Sequence, residues 1–404
     1  MTEILTTTQG QQGLPRYFAA VFSRAGAITR GRLDVVLPDG RRFRAEGAEP
    51  GHLAEIRVHD PGLFARLIRE GDLGFCDAYI EGGWTTPDLM AFMDFIQDGA
   101  EAALDGFPGQ RLLRAWERLR FRLQGNSKGQ ARRNIARHYD LGNAFYELWL
   151  DETMTYSSAL FDEGAQSLEA AQRRKYDSII DEMGAKPGDH VLEIGCGWGG
   201  FAEHAAGTRG LRVTGLTISR EQYDFAAARI AAAGLQDRVT LKLQDYRDER
   251  GHYDGIASIE MFEAVGERYW PVYFETLKAR LKPGRQATLQ VITIAEERWE
   301  AYRGGVDFIQ RYIFPGGMLP SPSVLRAQAA SAGLGLVRSI EFGESYSRTL
   351  RHWYDRFEAR RDEVAAQGFD QRFRRMWDLY LCACAGAFSG GNCDVTQITL
   401  ARPA

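Results

Sequence analysis

Two short stretches of the 404-residue chain carry residues whose types and spacing can do chemistry. The first is His190-Val-Leu-Glu-Ile-Gly-Cys-Gly-Trp-Gly-Gly200, where a largely apolar run breaks at Gly195 into four glycines within six positions. Glycine supplies positive φ and lets a ligand touch the main chain. A helix N-terminus just beyond such a turn offers unpaired N–H groups. The stretch therefore reads as a nucleotide-type cradle, with a purely structural glycine-rich turn as the plainer alternative. It lacks the Gly-Lys-Ser/Thr ending of a phosphate loop and the spacing of the dinucleotide fingerprint. The second stretch holds Glu260 and Glu263. Three residues apart, two carboxylates can share a helical face, giving a second base or a like-charge repulsion. Metal chemistry has no support. Cys76, Cys196, Cys382, Cys384 and Cys393 are odd in number and scattered without a Cys-x-x-Cys pair, and the seven histidines show no ligand spacing.

The elements that must position these residues alternate. A helix over 167–183 precedes the strand at 190. Strand 212–217, helix 220–233, strand 239–243, strand 253–260, a helix near 270–281 and strand 286–294 follow. Such alternation implies a mostly parallel sheet covered on both faces, with ligands beyond the carboxyl ends of the strands. Gly195, Thr217, Asp245, Glu260 and Glu263 fall at or just past those ends and are expected to converge. Residues 17–100 carry a separate pattern, a small α+β unit with strands near 31–37, 41–45 and 54–58 and helices at 61–70, 73–81 and 88–95. Between the two, residues 111–137 hold nine Lys/Arg against the single acid Glu117. Leu112, Leu113, Trp116 and Leu119 fall on one face of a helix there. That is a basic amphipathic helix, suited either to an anionic membrane surface or to packing on a neighbour. The domains expected are 1–105, 106–137 and 138–404. No run is long enough to span a bilayer, the opening residues lack the basic start and apolar core expected of a signal peptide, and a net charge of −4 gives no reason to expect a nucleic-acid partner.

Glu-x-Gly-x-Gly-x-Gly is the pattern of S-adenosylmethionine-dependent methyltransferases, and further motifs narrow the resemblance. YDLGNAFYELWLDETMTYSSALF (139–161), VLEIGCGWGGFAEHAA (191–206), GLTISREQ (215–222), QDYRD (244–248), MFEAVGERYW (261–270), FIQRYIFPGGMLPS (308–321), SYSRTLRHWYDRF (345–357) and YLCACAGAF (380–388) resemble, in this order, the cyclopropane-fatty-acid and mycolic-acid cyclopropane synthases. The resemblance covers residues 130–400, and 17–100 looks like the lipid-associated N-terminal domain of the phospholipid enzymes. It implies an α/β fold: a Rossmann-like class I methyltransferase domain with a small α+β domain before it. It also implies that Tyr156 and Ser157 lie over S-adenosylmethionine and that Gly195, Cys196 and Gly197 form the loop beneath. Thr217, Ser219 and Gln222 match the ribose segment, where Thr217 and Ser219 could equally cap the next helix. Asp245 and Tyr246 match the adenine-flanking positions. The acceptor implied is the cis double bond of an unsaturated phospholipid acyl chain at the cytoplasmic face of the membrane. A homodimer is in keeping with the phospholipid relatives.

An alkene is a poor nucleophile, so the methyl donor must be a strong electrophile, and transfer leaves a carbocation on the acyl chain. Aromatic faces stabilise a cation by about 0.5–2 kcal/mol each. Tyr139, Phe145, Tyr156, Phe262, Phe308, Tyr312, Phe314 and Tyr346 are candidates, most of them for lining. The pocket must be dry, or water traps the cation. In the family a bicarbonate ion removes the final proton, held by Glu, Tyr, Cys, His and backbone. Glu263 and Tyr346 match two of these. Ser158 stands where the Cys is expected, Ile292 where the His is expected, and Glu260 adds a carboxylate. Cys384 matches a cysteine assigned to catalysis in the family, although a buried thiol in an apolar helix also acts simply as a small hydrophobe. Ring closure gives a cyclopropane, the product the resemblance implies; the alternative, which the departures at Ser158, Glu260 and Ile292 favour, is hydride shift before proton loss, giving a methyl-branched or methylene chain.

Overall fold

The computed structural model describes residues 3–100, 126–139, 141–162, 164 and 167–404. The chain divides into two compact units, one of residues 1–121, 304–313 and 358–392, the other of 122–303, 314–357 and 393–404. These units are not contiguous in sequence, unlike the expected domains 1–105, 106–137 and 138–404. Most of the basic helix expected over 111–137 lies outside the described residues. Only its end falls within the helix α5, Lys128–Tyr139.

In the first unit, strands β1 (Ile4–Leu5), β2 (Arg30–Val36), β3 (Arg42–Glu46), β4 (Glu49–Val58) and β5 (Trp84–Thr85) form a sheet in the order β1-β3-β2-β4-β5. Pro38-Asp39-Gly40 turns β2 into its antiparallel partner β3, as the sequence predicts. Helices α1 (Phe18–Arg24), α2 (Leu63–Glu70), α3 (Asp72–Ile80) and α4 (Leu89–Phe95) supply the apolar cover. Phe18 from α1 meets Phe43 of β3 at 4.8 Å between ring centroids, and Trp84 stacks on Phe75 at 4.4 Å. Residues 358–392 join this unit because α15 (Gln371–Ser389) packs on α4 through its glycines. A Cβ at Gly386 would sit 3.2 Å from Met93 O, and one at Gly390 2.7 Å from Gln97 Cβ. Only residues without side chains allow that approach, and no periodicity argument had assigned them to it.

The second unit is a seven-stranded sheet with helices on both faces, in the order β11-β12-β10-β9-β6-β7-β8. Its strands are β6 (His190–Ile194), β7 (Arg212–Thr217), β8 (Val239–Leu243), β9 (Tyr253–Ile259), β10 (Leu281–Ile294), β11 (Gly335–Glu341) and β12 (Cys393–Ala401). β8, β7, β6, β9 and β10 run parallel, and β12 inserts antiparallel between β10 and β11. Val191 pairs with Val213, which pairs with Val239, so one row of side chains on one face meets α7 (Leu168–Glu182), α8 (Gly200–Gly207) and α9 (Arg220–Ala232). Ile179, Ile180, Phe201, Ala205 and Ile230 complete that core. Alternation along β6 then sends Glu193 to the same face as Val191. α10 (Trp270–Arg280) supplies a second apolar group of Trp270, Tyr273, Phe274 and Leu277, all fully buried. Among the described residues no helix is long and apolar enough to cross a membrane.

Candidate functional site

The glycine turn is built by bonds across the sheet. Gly195 and Cys196 both donate their N–H to Leu216 O of β7, at 2.9 and 2.8 Å. Gly195 has φ +84°, and a Cβ there would lie 2.9 Å from Met261 Cγ, so the position demands glycine. Gly197 has φ +50°, and a Cβ there would meet nothing within 4 Å. That opening stands ahead of α8, where the sequence reading expects a cradle. Cys196 is buried, and burial pushes its thiol well above the usual range, so it packs rather than reacts.

The neighbouring strand ends bring the other expected groups. Ser219 caps α9, its hydroxyl accepting from Gln222 N at 3.3 Å, and the Thr217 hydroxyl donates to Gln222 Oε1 at 2.9 Å. Ser219 thus takes the capping role, while Thr217 orients the Gln222 side chain. Asp245, just beyond β8, is clamped by Arg247 through bonds of 2.8 and 2.7 Å. Burial would raise this carboxyl, but the hydrogen bonds and charge of Arg247 prevail and hold it below the usual range. The same guanidinium lies 5.5 Å from the Tyr246 ring centroid and 5.4 Å from that of Tyr269. Tyr156 is boxed by Tyr146, Trp149, Trp353 and Phe314, at 5.6, 5.4, 5.4 and 6.4 Å between ring centroids.

At the end of β9 the backbone departs from its usual range. Glu260 has φ +48°, one of three non-glycine residues with positive φ among those described. A left-handed non-glycine residue costs roughly 1–2 kcal/mol, and here three donors hold it. Glu260 Oε1 accepts from Ser158 N at 2.7 Å and Gln290 Nε2 at 2.8 Å, and Oε2 accepts from Tyr346 OH at 2.9 Å. Ser158 therefore addresses the carboxylate through its backbone, while its hydroxyl donates to Ala159 O at 2.9 Å. Glu263 sits in a 3₁₀ turn, Phe262–Ala264, so the two carboxylates do not share an α-helical face. Its Oε1 accepts from Ile292 N, and its Oε2 is buried with no hydrogen-bond partner among the described residues. Burial first, and then the nearby charge of Glu260, push Glu263 up to about 8. Ile292 thus contributes its amide where the resemblance expected a histidine side chain.

Of the aromatic candidates, Tyr156 and Tyr346 lie against Trp353, Tyr346 edge-on to it at 6.0 Å, and Phe314 lies against Tyr156. Phe262 stacks instead on Trp270 at 5.2 Å, and Phe145 packs among Tyr146, Trp149 and Phe357. Phe308 and Tyr312 belong to the first unit, as does Cys384, half-buried on α15. The Tyr139 side chain lies outside the described residues. Sequence reasoning missed Gln172, Lys175, Gln290 and Trp353. Gln172 and Lys175 carried a signal, because both fall on the apolar stripe of α7 with Leu168, Ala171, Tyr176 and Ile179. A lysine on such a stripe needs a buried partner.

A seven-stranded sheet of this order, with a glycine turn opening ahead of a helix, is the architecture of S-adenosylmethionine-dependent methyltransferases. The family described as mycolic acid cyclopropane synthetase matches residues 126–398. The tuberculostearic acid methyltransferase UfaA1 of Mycobacterium tuberculosis is 42% identical over 384 residues, spanning 92% of this chain and 88% of the relative. The cyclopropane-fatty-acyl-phospholipid synthase of Escherichia coli K12 is 39% identical over 351 residues, spanning 86% and 88%. Among solved structures, the mycolic acid cyclopropane synthase CmaA1 of a complex with SAH and CTAB superposes with a TM-score of 0.63 at 29% identity, covering 67% of this chain and 97% of that one. The chain belongs to the cyclopropane synthase family. It is an S-adenosylmethionine-dependent methyltransferase that modifies lipid acyl chains.

Proposed function

We propose that this enzyme methylates the cis double bond of an unsaturated phospholipid acyl chain and releases a methylene-branched chain in which one double bond remains. The observation that carries the reading is the Glu260 carboxylate, which takes the hydrogen bonds of Ser158 N, Gln290 Nε2 and Tyr346 OH. The donors that a bicarbonate would need therefore already face carboxylates of the chain, Glu263 at Ile292 N included. A free anion does not fit, and no step runs through one.

S-adenosylmethionine supplies, when bound, an electrophilic methyl whose C–S bond breaks with its electron pair leaving on sulfur. The alkene π pair forms the new C–C bond, and the adjacent carbon becomes a cation. Tyr156, Phe314, Tyr346 and Trp353 form a connected group of aromatic rings, and two or three such faces turned to the cation would stabilise it by roughly 1–6 kcal/mol together. Burial raises the Glu260 carboxyl above its usual range, while the charge of Lys175 and the three hydrogen bonds to its oxygens oppose that rise and hold the base in one orientation. Hydride moves from the methylated carbon to its neighbour, giving a tertiary cation. Glu260 then takes a proton from the methyl, and the C–H pair becomes the C=CH2 double bond of the methylene branch. Saturating that bond requires a separate hydride donor. The names of the relatives span more than one product, so the distinction rests on Glu260.

Expression in a bacterium rich in monounsaturated phospholipids, followed by mass spectrometry of the fatty acids, tests this. The expected product is heavier by one methylene unit and still reacts with a double-bond reagent. A cyclopropane ring of the same mass, unreactive to that reagent, refutes it.

A further inference from the structure

Lys175 of α7 is a fully buried ammonium in the second unit, and nothing above gives it a task. It donates to Ser157 Oγ at 2.7 Å and to Gln172 Oε1 at 2.6 Å, and it lies 4.9 Å from the centroid of the Tyr176 ring. Gln172 in turn donates from Nε2 to Ser157 O at 3.0 Å. The strap Ser157–Ser158 is thus gripped from both sides. α7 holds Ser157 through Lys175 and Gln172, while Glu260 and Gln290 hold Ser158, the latter through Ser158 O at 3.2 Å.

An ammonium can only donate. Because Lys175 donates to Ser157 Oγ, the hydroxyl must point its own proton elsewhere, as a donor away from α7. A buried ammonium also needs counter-charge. The carboxylates facing it are Glu260 at the end of β9, Asp151 in the loop after α6 (Asn143–Glu147), and Glu193 on β6. Glu193 is pushed up to about 8 by burial, so at neutral pH it is largely protonated. Asp151 is tied to Thr153 by N–H and hydroxyl bonds of 3.1 and 2.5 Å. Burial raises the Glu260 carboxyl too, but the charge of Lys175 and the hydrogen bonds from Gln290, Ser158 and Tyr346 each oppose that rise and favour its ionised form.

We propose that Lys175 is a positioning residue that orients the Ser157 hydroxyl as a hydrogen-bond donor to the cofactor and supplies the charge that keeps Glu260 ionised in the dry pocket. The second half rests on the reading of Glu260 as the built-in base. Burial lowers the lysine from its ordinary range while the carboxylates oppose that shift. Raising the pH therefore strips the ammonium, and Ser157 and Glu260 lose their organiser together.

The test uses the full chain with Lys175→Met and Lys175→Arg, measuring S-adenosylmethionine affinity by calorimetry and turnover against pH. Wild type is expected to lose both affinity and kcat on an alkaline limb. Lys175→Met weakens affinity several-fold and lowers kcat tenfold or more at every pH, without that limb. Lys175→Arg, whose charge persists, recovers part of kcat, and its alkaline limb disappears. Retention of the wild-type limb in the arginine variant overturns the proposal, as does unchanged affinity and kcat in a folded methionine variant. Should the methionine variant fail to fold, the arginine profile still decides. A cyclopropane product from wild type would remove the reading of Glu260 alone, leaving the affinity arm on Ser157 to stand or fall by itself.

Discussion

Glu263 makes an energetic prediction that is independent of product chemistry. Its carboxyl stands at about 8 in the fold against 4.5 for an ordinary glutamate, and it is fully buried. The folded pKa is raised, so the stability it contributes is complete below about 4.5 and is lost as pH rises toward about 8. The loss runs at roughly 1.4 kcal/mol per pH unit, a total on the order of 5 kcal/mol. Replacing Glu263 with Gln removes that penalty with little change of shape. The amide oxygen still accepts from Ile292 N, and the amide nitrogen replaces an oxygen that has no partner in any case. Glu193 and Glu260 titrate in both proteins, so their first-order contributions cancel in the difference. Thermal unfolding followed by circular dichroism at about pH 5 and about pH 8 gives the comparison. Glu263→Gln should match wild type within about 1 kcal/mol near pH 5 and exceed it by about 4 kcal/mol near pH 8. At about 2 °C per kcal/mol, the lower end for a unit of this size, the second gap is about 8 °C. A gap that does not widen with pH would falsify the assignment of a neutral, buried Glu263.

Because the proposed proton transfer runs to Glu260 while Glu263 stays neutral, the same variant should retain S-adenosylmethionine affinity and most of its turnover, measured by calorimetry and product release; loss of turnover with affinity intact would assign Glu263 a step in the reaction. Gly195→Ala forces a Cβ to 2.9 Å from Met261 Cγ at φ +84°; cofactor affinity should fall at least tenfold, and a fully retained affinity means the turn is not the cradle.

The local elements could be read from the chain because each rests on a short-range rule. The apolar runs and glycine breaks at 190–200, 212–217 and 239–243 leave a buried strand few alternatives, and Ser219 announces the start of α9. Eight motifs in order named the family, and with it the cofactor. What escaped was long-range. β12 runs antiparallel inside an otherwise parallel row of strands, which no periodicity indicates. Residues 304–313 and 358–392 fold with the first unit, the latter because Gly386 and Gly390 let α15 approach α4. Glu260 stood out in the sequence as a departure, but whether it repels an anion or replaces one depends on which donors reach it. Ser158 N arrives from 102 residues upstream and Tyr346 OH from 86 downstream, so only the fold decides. Lys175 makes the same point. Its charge was visible in the sequence, but its lack of water and its bond to Ser157 are properties of the packed interior, where an unpaired ammonium is too costly to be accidental. The sequence by itself determined the donor of the methyl group, since each of the eight motifs that name it is a local run of chain; tertiary structure decided what surrounds Glu260, since a carboxylate's partners are distant groups that only folding brings to it.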